Sequence, residues 1–357
     1  MKNPFLFGTV AEGESFTDRK KEIEEIYSVL NSGNHVVLIS PRRFGKTSLI
    51  REVTGSLHRP VIYLDLQLVT DVNDLATELL KRVMKIYKWE SIKRHLAGFR
   101  LVPTVELNPV TNSVNVSFLP TIKDDFTPIA DVLDLIENAA SKKSRPIVVF
   151  DEFQEIRSLG KALPKQLRSV IQHHKNVNYI FLGSIESMMK QIFETKKSPF
   201  YHFGYLMTLD KIPYADFLMY LKKHLRKVTD QSEILSEGIL TFTECHPYYT
   251  QQLAFYCFAW LEKNSYNKQT LNKVIEHITE VHGNDFARLW NTLSNTDKKI
   301  LIALAMGKNG AAVAGPSSTT YSGLSRLAAR GYLLKDNGYK FDDPFFKKWI
   351  GEKRDEA

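Results

Sequence analysis

The 357-residue sequence predicts an α/β protein, a parallel sheet with helices on both faces, followed by helical and mixed C-terminal portions. Three observations predict it. HVVLIS (35–40), PVIYLDL (60–66), PIVVFDE (146–152) and NYIFLGS (178–184) are short, continuously apolar and β-branched, as strands buried on both faces should be. Helical patterns separate them, and strands alternating with helices specify parallel pairing. The turn SPRRFGKTS joins the first run to a helix, where a phosphate-binding loop would stand.

In chain order, FTDRKKEIEEIYSVLNSG is a helix with Ile23, Ile26, Tyr27 and Leu30 on one face. DVNDLATELLKRVMKIY and DVLDLIENAASKK are further helices between the strands. LVPTVELNPVTNSVNVSF (101–118) breaks the rhythm and reads as a β-hairpin, turning at NPVTNS, inserted before the third sheet strand. From Ile212 to Leu293 the pattern is helical, and the aromatic stripes of PYADFLMYLKKHL and PYYTQQLAFYCFAWL read as core. TDKKILIALAMG is a helix with Asn295 or Thr296 available as its cap, followed by the small-residue loop KNGAAVAGPSS. TTYSGLSRLAARG is an amphipathic helix closed by Gly331, and YLLKDNGYKF a hairpin turning around Asp336, Asn337 and Gly338. Helix, turn, helix and hairpin make a winged-helix unit.

Composition sets the class. Hydrophobic residues at 43% and charged residues at 25% allow a soluble protein with a sizeable core. The two cysteines, Cys245 and Cys257, cannot build a disulfide framework or a zinc site, and read as reduced thiols of a cytoplasmic protein. The N-terminal apolar run is too short for a signal peptide, and no run approaches the ~18 residues of a membrane span. The formal charge of +8 fits a nucleic-acid partner without demanding one.

The loop carries the chemistry. In G-x-x-x-x-G-K-[ST], Gly45 lets the backbone approach phosphates, Lys46 bridges β- and γ-phosphates, and the Thr47 hydroxyl ligates magnesium. Ser40 stands where the first glycine should be. PIVVFDEFQEI supplies the second half: Asp151 to hold Mg2+ through water, and Glu152 to polarise the attacking water. Other chemistries lack their signatures, with no N-K-x-D for a GTPase, no L-S-G-G-Q for an ABC protein and no G-x-S-x-G elbow. The ten histidines lack paired metal spacing, and His173 and His174 read as helix surface.

FTDRKKEIEEI, SPRRFGKTSLI, VVFDEFQEI and FLGSIESMMKQIF, in this order, resemble the archaeal-type ATPase family, in the STAND branch of the P-loop NTPases and close to AAA+ proteins. The likeness covers nearly the whole chain, to DPFFKKWI. It implies a P-loop ATPase core over 1–209, a helical lid domain over 210–293 and a winged-helix domain over 294–357. It implies ATP and Mg2+ as cofactors and ATP hydrolysis to ADP and phosphate. Asp18 and Arg19 would approach adenine; Pro41, Arg42, Arg43, Phe44, Gly45, Lys46, Thr47 and Ser48 would form the Walker A loop. Thr47 and Asp151 would hold the metal, with Lys46, Glu152 and Ser184, the polar sensor, catalytic. ECHPYYTQQLA resembles the G-x-P motif opening the lid helix, which places His246 and Pro247 near the base.

There are three departures from the family pattern, and the last, which removes an arginine that could meet phosphate charge, implies slow turnover. Ser40 replaces the first loop glycine, Cys245 the lid glycine, and His202–Phe203 the usual Gly-Arg after SPFY. Arg42, Arg43, Arg157 and Arg168 are the substitutes within the chain. Two uses of ATP follow. A nucleotide switch would work either through a winged helix docked on a protein partner or through one bound to duplex DNA by Ser322, Ser325, Arg326, Arg330, Lys335 and Lys340. A homo-oligomer is left open.

Overall fold

The computed structural model describes residues 2–108, 113–118, 125–141, 144–307, 317–336 and 338–355. The tip of the expected first hairpin, most of the loop KNGAAVAGPSS, and Asn337 lie outside the described residues. The chain forms two compact units. One comprises Met1–Asp18, Arg43–Gly45 and Lys211–Ala357, the other Arg19–Arg42 and Lys46–Asp210.

The second of these contains the sheet. Its strands are β1 (Val36–Ile39), β2 (Val61–Asp65), an antiparallel pair β3 (Thr104–Asn108) and β4 (Ser113–Ser117), then β5 (Ile147–Asp151), β6 (Asn178–Gly183) and β7 (Tyr205–Thr208). Five of them form one sheet in the order β2-β5-β6-β1-β7. Every pairing in it is parallel. β1, β5 and β6 are buried along their whole length, which is why they carry no polar alternation. Among the described residues, β3 and β4 pair only with each other, as a hairpin separate from the sheet.

β7 is the strand that sequence reading missed. It is an edge strand of four residues in which only Met207 is buried, so YLMT lacks the continuous β-branched run that marked the others. Helices flank the sheet. Val72–Ile86 starts where the Asp71 side chain accepts from the Asp74 N–H at 2.8 Å, and it buries Val72, Leu75, Ala76, Leu79, Leu80 and Val83 as one stripe. Lys46–Leu57 buries Leu49, Ile50 and Val53, each worth about 1.5–3 kcal/mol of transfer from water. A cluster of phenylalanines closes the core, with the Phe153 ring 4.6 Å from Phe181 and 5.2 Å from Phe200. His174 departs from expectation: it follows the helix Leu163–Ile171, and its side chain is buried, its Nδ1 hydrogen-bonded to the Tyr179 hydroxyl at 2.7 Å.

The other unit is mostly helical. Helices Tyr214–Leu225, Ser232–Thr243, Pro247–Leu261, Thr270–Val281, Gly283–Asn291, Asn295–Ala305 and Ser317–Ala329 precede a hairpin of β8 (Leu333–Lys335) and β9 (Tyr339–Phe341), and Pro344–Asp355 follows. One apolar core runs through them, from Phe217 and Phe258 to Leu301, Leu327, Phe345 and Trp349. The first residues join it, because Phe5 is wholly buried there, 5.8 Å from the Tyr220 ring and 6.1 Å from Phe258. Met1–Asp18 and Arg43–Gly45 thus group with the mostly helical unit. The cap of Asn295–Ala305 also moves one residue earlier: Ser294 is extended, its Oγ accepts from the Asp297 N–H at 3.2 Å, and neither Asn295 nor Thr296 caps.

Candidate functional site

In the sheet order β5, β6 and β1 are neighbours, so their C-terminal ends lie side by side. This is where open parallel sheets hold ligands. β1 runs into the phosphate loop, β5 ends on Asp151, and Ser184 follows β6 directly. Gly183 ends β6 without a side chain because Met189, from the helix Glu186–Phe193, fills that space; an added Cβ would stand 2.3 Å from its Cγ.

The loop answers the question raised by its missing glycine. Ser40 is buried, its N–H donates to the Gly183 carbonyl at 3.2 Å, and it is not among the described residues with positive φ. The position asks for a small residue rather than a left-handed one. Gly45, in contrast, has φ +89°, and an added Cβ there would meet no protein atom. Its backbone conformation is what requires glycine. Lys46 opens the helix Lys46–Leu57, so the helix N-terminus, with its unpaired N–H groups and positive dipole end, begins at the loop. The Lys46 Nζ donates to the carbonyls of Ser40 and Pro41, 3.1 Å each. Burial pushes its pKa down, while Glu152 and Asp151 pull the other way and exposed Arg42 adds to the fall. Ser48 lies in the first turn of the same helix.

Two carboxylates face this loop in different environments. Asp151 accepts from the Thr47 hydroxyl at 3.4 Å and from the hydroxyl of Tyr63, on neighbouring β2. Burial raises its pKa, against the hydrogen bonds from Tyr63 and the Glu152 N–H. Burial, then the Asp151 charge, raises that of Tyr63, so the phenol stays a donor. Glu152 leaves the strand with φ 49°, a left-handed turn that starts the 3-10 segment Phe153–Glu155. Its Oε2 accepts from the Ser184 Oγ at 2.6 Å, the Ser184 N–H at 3.3 Å and the Gln154 amide at 2.5 Å. Thr47, Asp151, Glu152, Lys46 and Ser184 are thus brought together. Tyr63 and Gln154 were not singled out from the sequence. Gln154 was legible as an amide two residues beyond the carboxylates; Tyr63 had no local signal, because only strand pairing places it.

Of the remaining sequence candidates, Asp18 and Arg19 are consecutive left-handed residues, φ 51° and 72°. Arg19 is buried and tied to Glu22 at 2.8 Å and to the Asp210 carbonyl at 2.6 Å. In the mainly helical unit, His246 caps Pro247–Leu261, its Nδ1 accepting from the Tyr248 N–H at 3.2 Å and its Nε2 lying 3.3 Å from Asp342. Arg43 and Phe44 belong to this unit. The Arg43 guanidinium sits 4.5 Å over the Tyr248 ring and donates to the Tyr249 hydroxyl at 3.2 Å. Phe44 is buried, its ring 4.8 Å from that of His246. Arg157 donates to Gln191 and Arg168 covers the Phe203 ring, while the charge of Arg42 acts on Lys46.

Residues 16–253 match the family described as the ATPase domain predominantly from Archaea. The chain belongs to this family. As a member of this family of archaeal ATPase domains it binds and hydrolyses ATP. The fold agrees. The Walker-type ATPase PABY2304 of Pyrococcus abyssi is similar at TM-score 0.67 and 18% identity, over 95% of this chain and 97% of that one. The ORC2 protein of Aeropyrum pernix, solved as ADPNP–ADP complexes, is similar at TM-score 0.55 and 12% identity, over 99% and 100%. The ORC1 protein of Aeropyrum pernix, solved in complex with DNA, is similar at TM-score 0.50 and 11% identity, over 96% and 94%. No curated protein sequence matches the chain.

For an archaeal-type ATPase domain, the donor set suits magnesium. Thr47 and Asp151 offer a hydroxyl and a carboxylate 3.4 Å apart, hard oxygens of the kind Mg2+ takes alongside phosphate and water. Among the described residues there is no cluster of three or more His, Cys, Asp or Glu side chains that could hold a metal by itself. Nor, among them, is any helix long and apolar enough to cross a membrane.

Proposed function

We propose that the chain is a slow ATP-driven switch that reports nucleotide state to a C-terminal winged helix docked on a protein partner. The observation that carries its chemistry is the convergence of Lys46, Thr47, Asp151, Glu152 and Ser184 at the ends of three adjacent strands. Lys46 and the helix N-terminus offset the triphosphate charge. Thr47 and Asp151 hold Mg2+, which supplies electrostatic stabilisation of the phosphate oxygens. Glu152 takes a proton from water as the water oxygen bonds to the γ-phosphorus; the bond from phosphorus to the β–γ bridging oxygen breaks and ADP leaves. Ser184 holds Glu152.

The switch reading rests on Arg43 and Phe44. They are phosphate-loop residues, yet their side chains are bound to Tyr248, Tyr249 and His246, and His246 and Tyr249 in turn meet Asp342 and Asp343 beside the C-terminal hairpin. A ligand that reshapes the loop must act on these contacts. We assign 210–293 as the lid and 294–357 as the winged helix, with Asp18, Arg19, His246 and Pro247 on the adenine side.

Protein docking is favoured over DNA because three of the four basic residues named for DNA contact are engaged within the chain. Arg326 is bonded to Asp297 at 2.6 Å, Arg330 covers Tyr332, and Lys340 pairs with Asp336 at 3.2 Å. Likeness to a protein solved with DNA supports the second reading, duplex DNA bound by this segment. Salt-dependent DNA binding separates the two, since several neutralised phosphates give a steep loss of affinity with salt. The switch itself is tested by small-angle scattering and limited proteolysis with ADP, ATP or a non-hydrolysable analogue. Nucleotide-dependent cleavage near Ser294 is expected; identical patterns in every state would leave a constitutive scaffold.

A further inference from the structure

Gln154 is wholly buried, although it stands two residues from the proposed base. The path of the chain explains its reach. Glu152 turns left-handed at the end of β5, and the 3-10 segment Phe153–Glu155 folds Gln154 back over it, closed by the Glu155 N–H to the Glu152 carbonyl at 2.9 Å. Phe153, wholly buried among Phe181, Phe193 and Phe200, anchors this turn. The Gln154 Nε2 then donates to Glu152 Oε2 at 2.5 Å. Its own Oε1 is buried without a hydrogen-bond partner. A buried acceptor left unpaired lowers stability, and an apolar residue of the same length would avoid that loss. The half of the amide that is used is the half that grips the carboxylate.

We infer that Gln154 is a positioning residue for ATP hydrolysis: with Ser184 it fixes Oε2 of Glu152 and leaves Oε1 as the oxygen that receives the proton from water. This rests on the proposed role of Glu152 as base. The three donors arrive from two sides, Ser184 from the end of β6 and Gln154 from the turn after β5, so the carboxylate cannot rotate about its last bond without losing them. A base must hold one oxygen within hydrogen-bond reach of its water, and a displacement of about 1 Å costs on the order of 100-fold in rate.

The test uses the full chain and steady-state ATP hydrolysis, with ATP affinity measured separately by calorimetry. Gln154→Met keeps length and removes both polar atoms; kcat should fall roughly 10- to 100-fold while KM and ATP affinity stay within about twofold. In a Glu152→Gln background the same change should cost less than about twofold more, because its effect passes through Glu152. Gln154→Glu, which sets a second carboxylate against Oε2, should lower kcat as well, and decides the matter should the methionine variant not fold. A Gln154 variant that turns over at or above the wild-type rate, beside an impaired Glu152→Gln, overturns the positioning role alone. Wild-type turnover in Glu152→Gln overturns the base assignment, and the positioning role with it.

Discussion

The Ser184 hydroxyl donates to Oε2 of Glu152 at 2.6 Å, tying the residue after β6 to the residue after β5. The residue expected to be the polar sensor therefore bonds to the proposed base itself. Ser184→Ala removes that donor and keeps the backbone one. We expect kcat to fall about tenfold with ATP affinity unchanged, a part of the roughly 100-fold or more that general-base catalysis supplies. Steady-state kinetics beside calorimetric titration check it; a rise in Kd with kcat intact would make Ser184 a phosphate contact instead.

A second prediction concerns Arg43. Its cation–π contact with Tyr248 and its bond to Tyr249 are together worth a few kcal/mol at most, which bounds any nucleotide-driven shift they transmit. Arg43→Gly suits the local φ of 66° and removes the guanidinium. ATP should still bind within several-fold, while the ATP-dependent change in hydrogen exchange of Pro247–Leu261 should vanish. Persistence of that change would assign the coupling to other contacts.

The sheet, the loop and both carboxylates were legible because each is written locally: continuous apolar runs, G-K-T before a helix, Asp-Glu at a strand end. What was not legible is set by distant pairing. Tyr63 reaches Asp151 only because β2 lies beside β5. β7 has one buried residue and no periodicity to betray it. Phe5 packs into a core whose other members begin more than two hundred residues later, which no local pattern announces. Cys245, read as a departure from a glycine, does adopt the left-handed conformation at φ 59°, and Glu244 beside it has φ 49°.

That pair yields a stability prediction. Glu244 ends the helix Ser232–Thr243 in a conformation that costs a residue with a Cβ about 1–2 kcal/mol. Glu244→Gly should stabilise the protein by roughly 0.5–1 kcal/mol, after the greater freedom of glycine in the unfolded chain is subtracted. Calorimetry should show a higher Tm; an unchanged or lower one would mean that the Lys211 and Lys340 contacts of Glu244 outweigh the relief.

A pH dependence follows from His35. Burial, then the charges of Arg168, His174 and Arg145, lower its pKa to about 4. Its Nδ1 accepts from the Tyr179 N–H at 3.2 Å, a bond that protonation at that nitrogen would break. A folded-state pKa below the ordinary value of 6.5 gives stability that is fully present above pH 6.5 and lost as pH falls toward 4. The loss is at most about 3 kcal/mol. Denaturant unfolding at pH 7 and pH 4.5 should show it in the wild type and much less in His35→Gln; equal losses in the two would remove His35 as the source.

The most direct test of the central claim is the steady-state ATP turnover of Glu152→Gln at saturating ATP and Mg2+. The amide cannot take a proton from water, so turnover should fall at least about tenfold while ATP still binds. A variant that binds ATP and hydrolyses it at the wild-type rate would contradict the account, because the base would then lie outside the cluster formed by Lys46, Thr47, Asp151, Glu152 and Ser184.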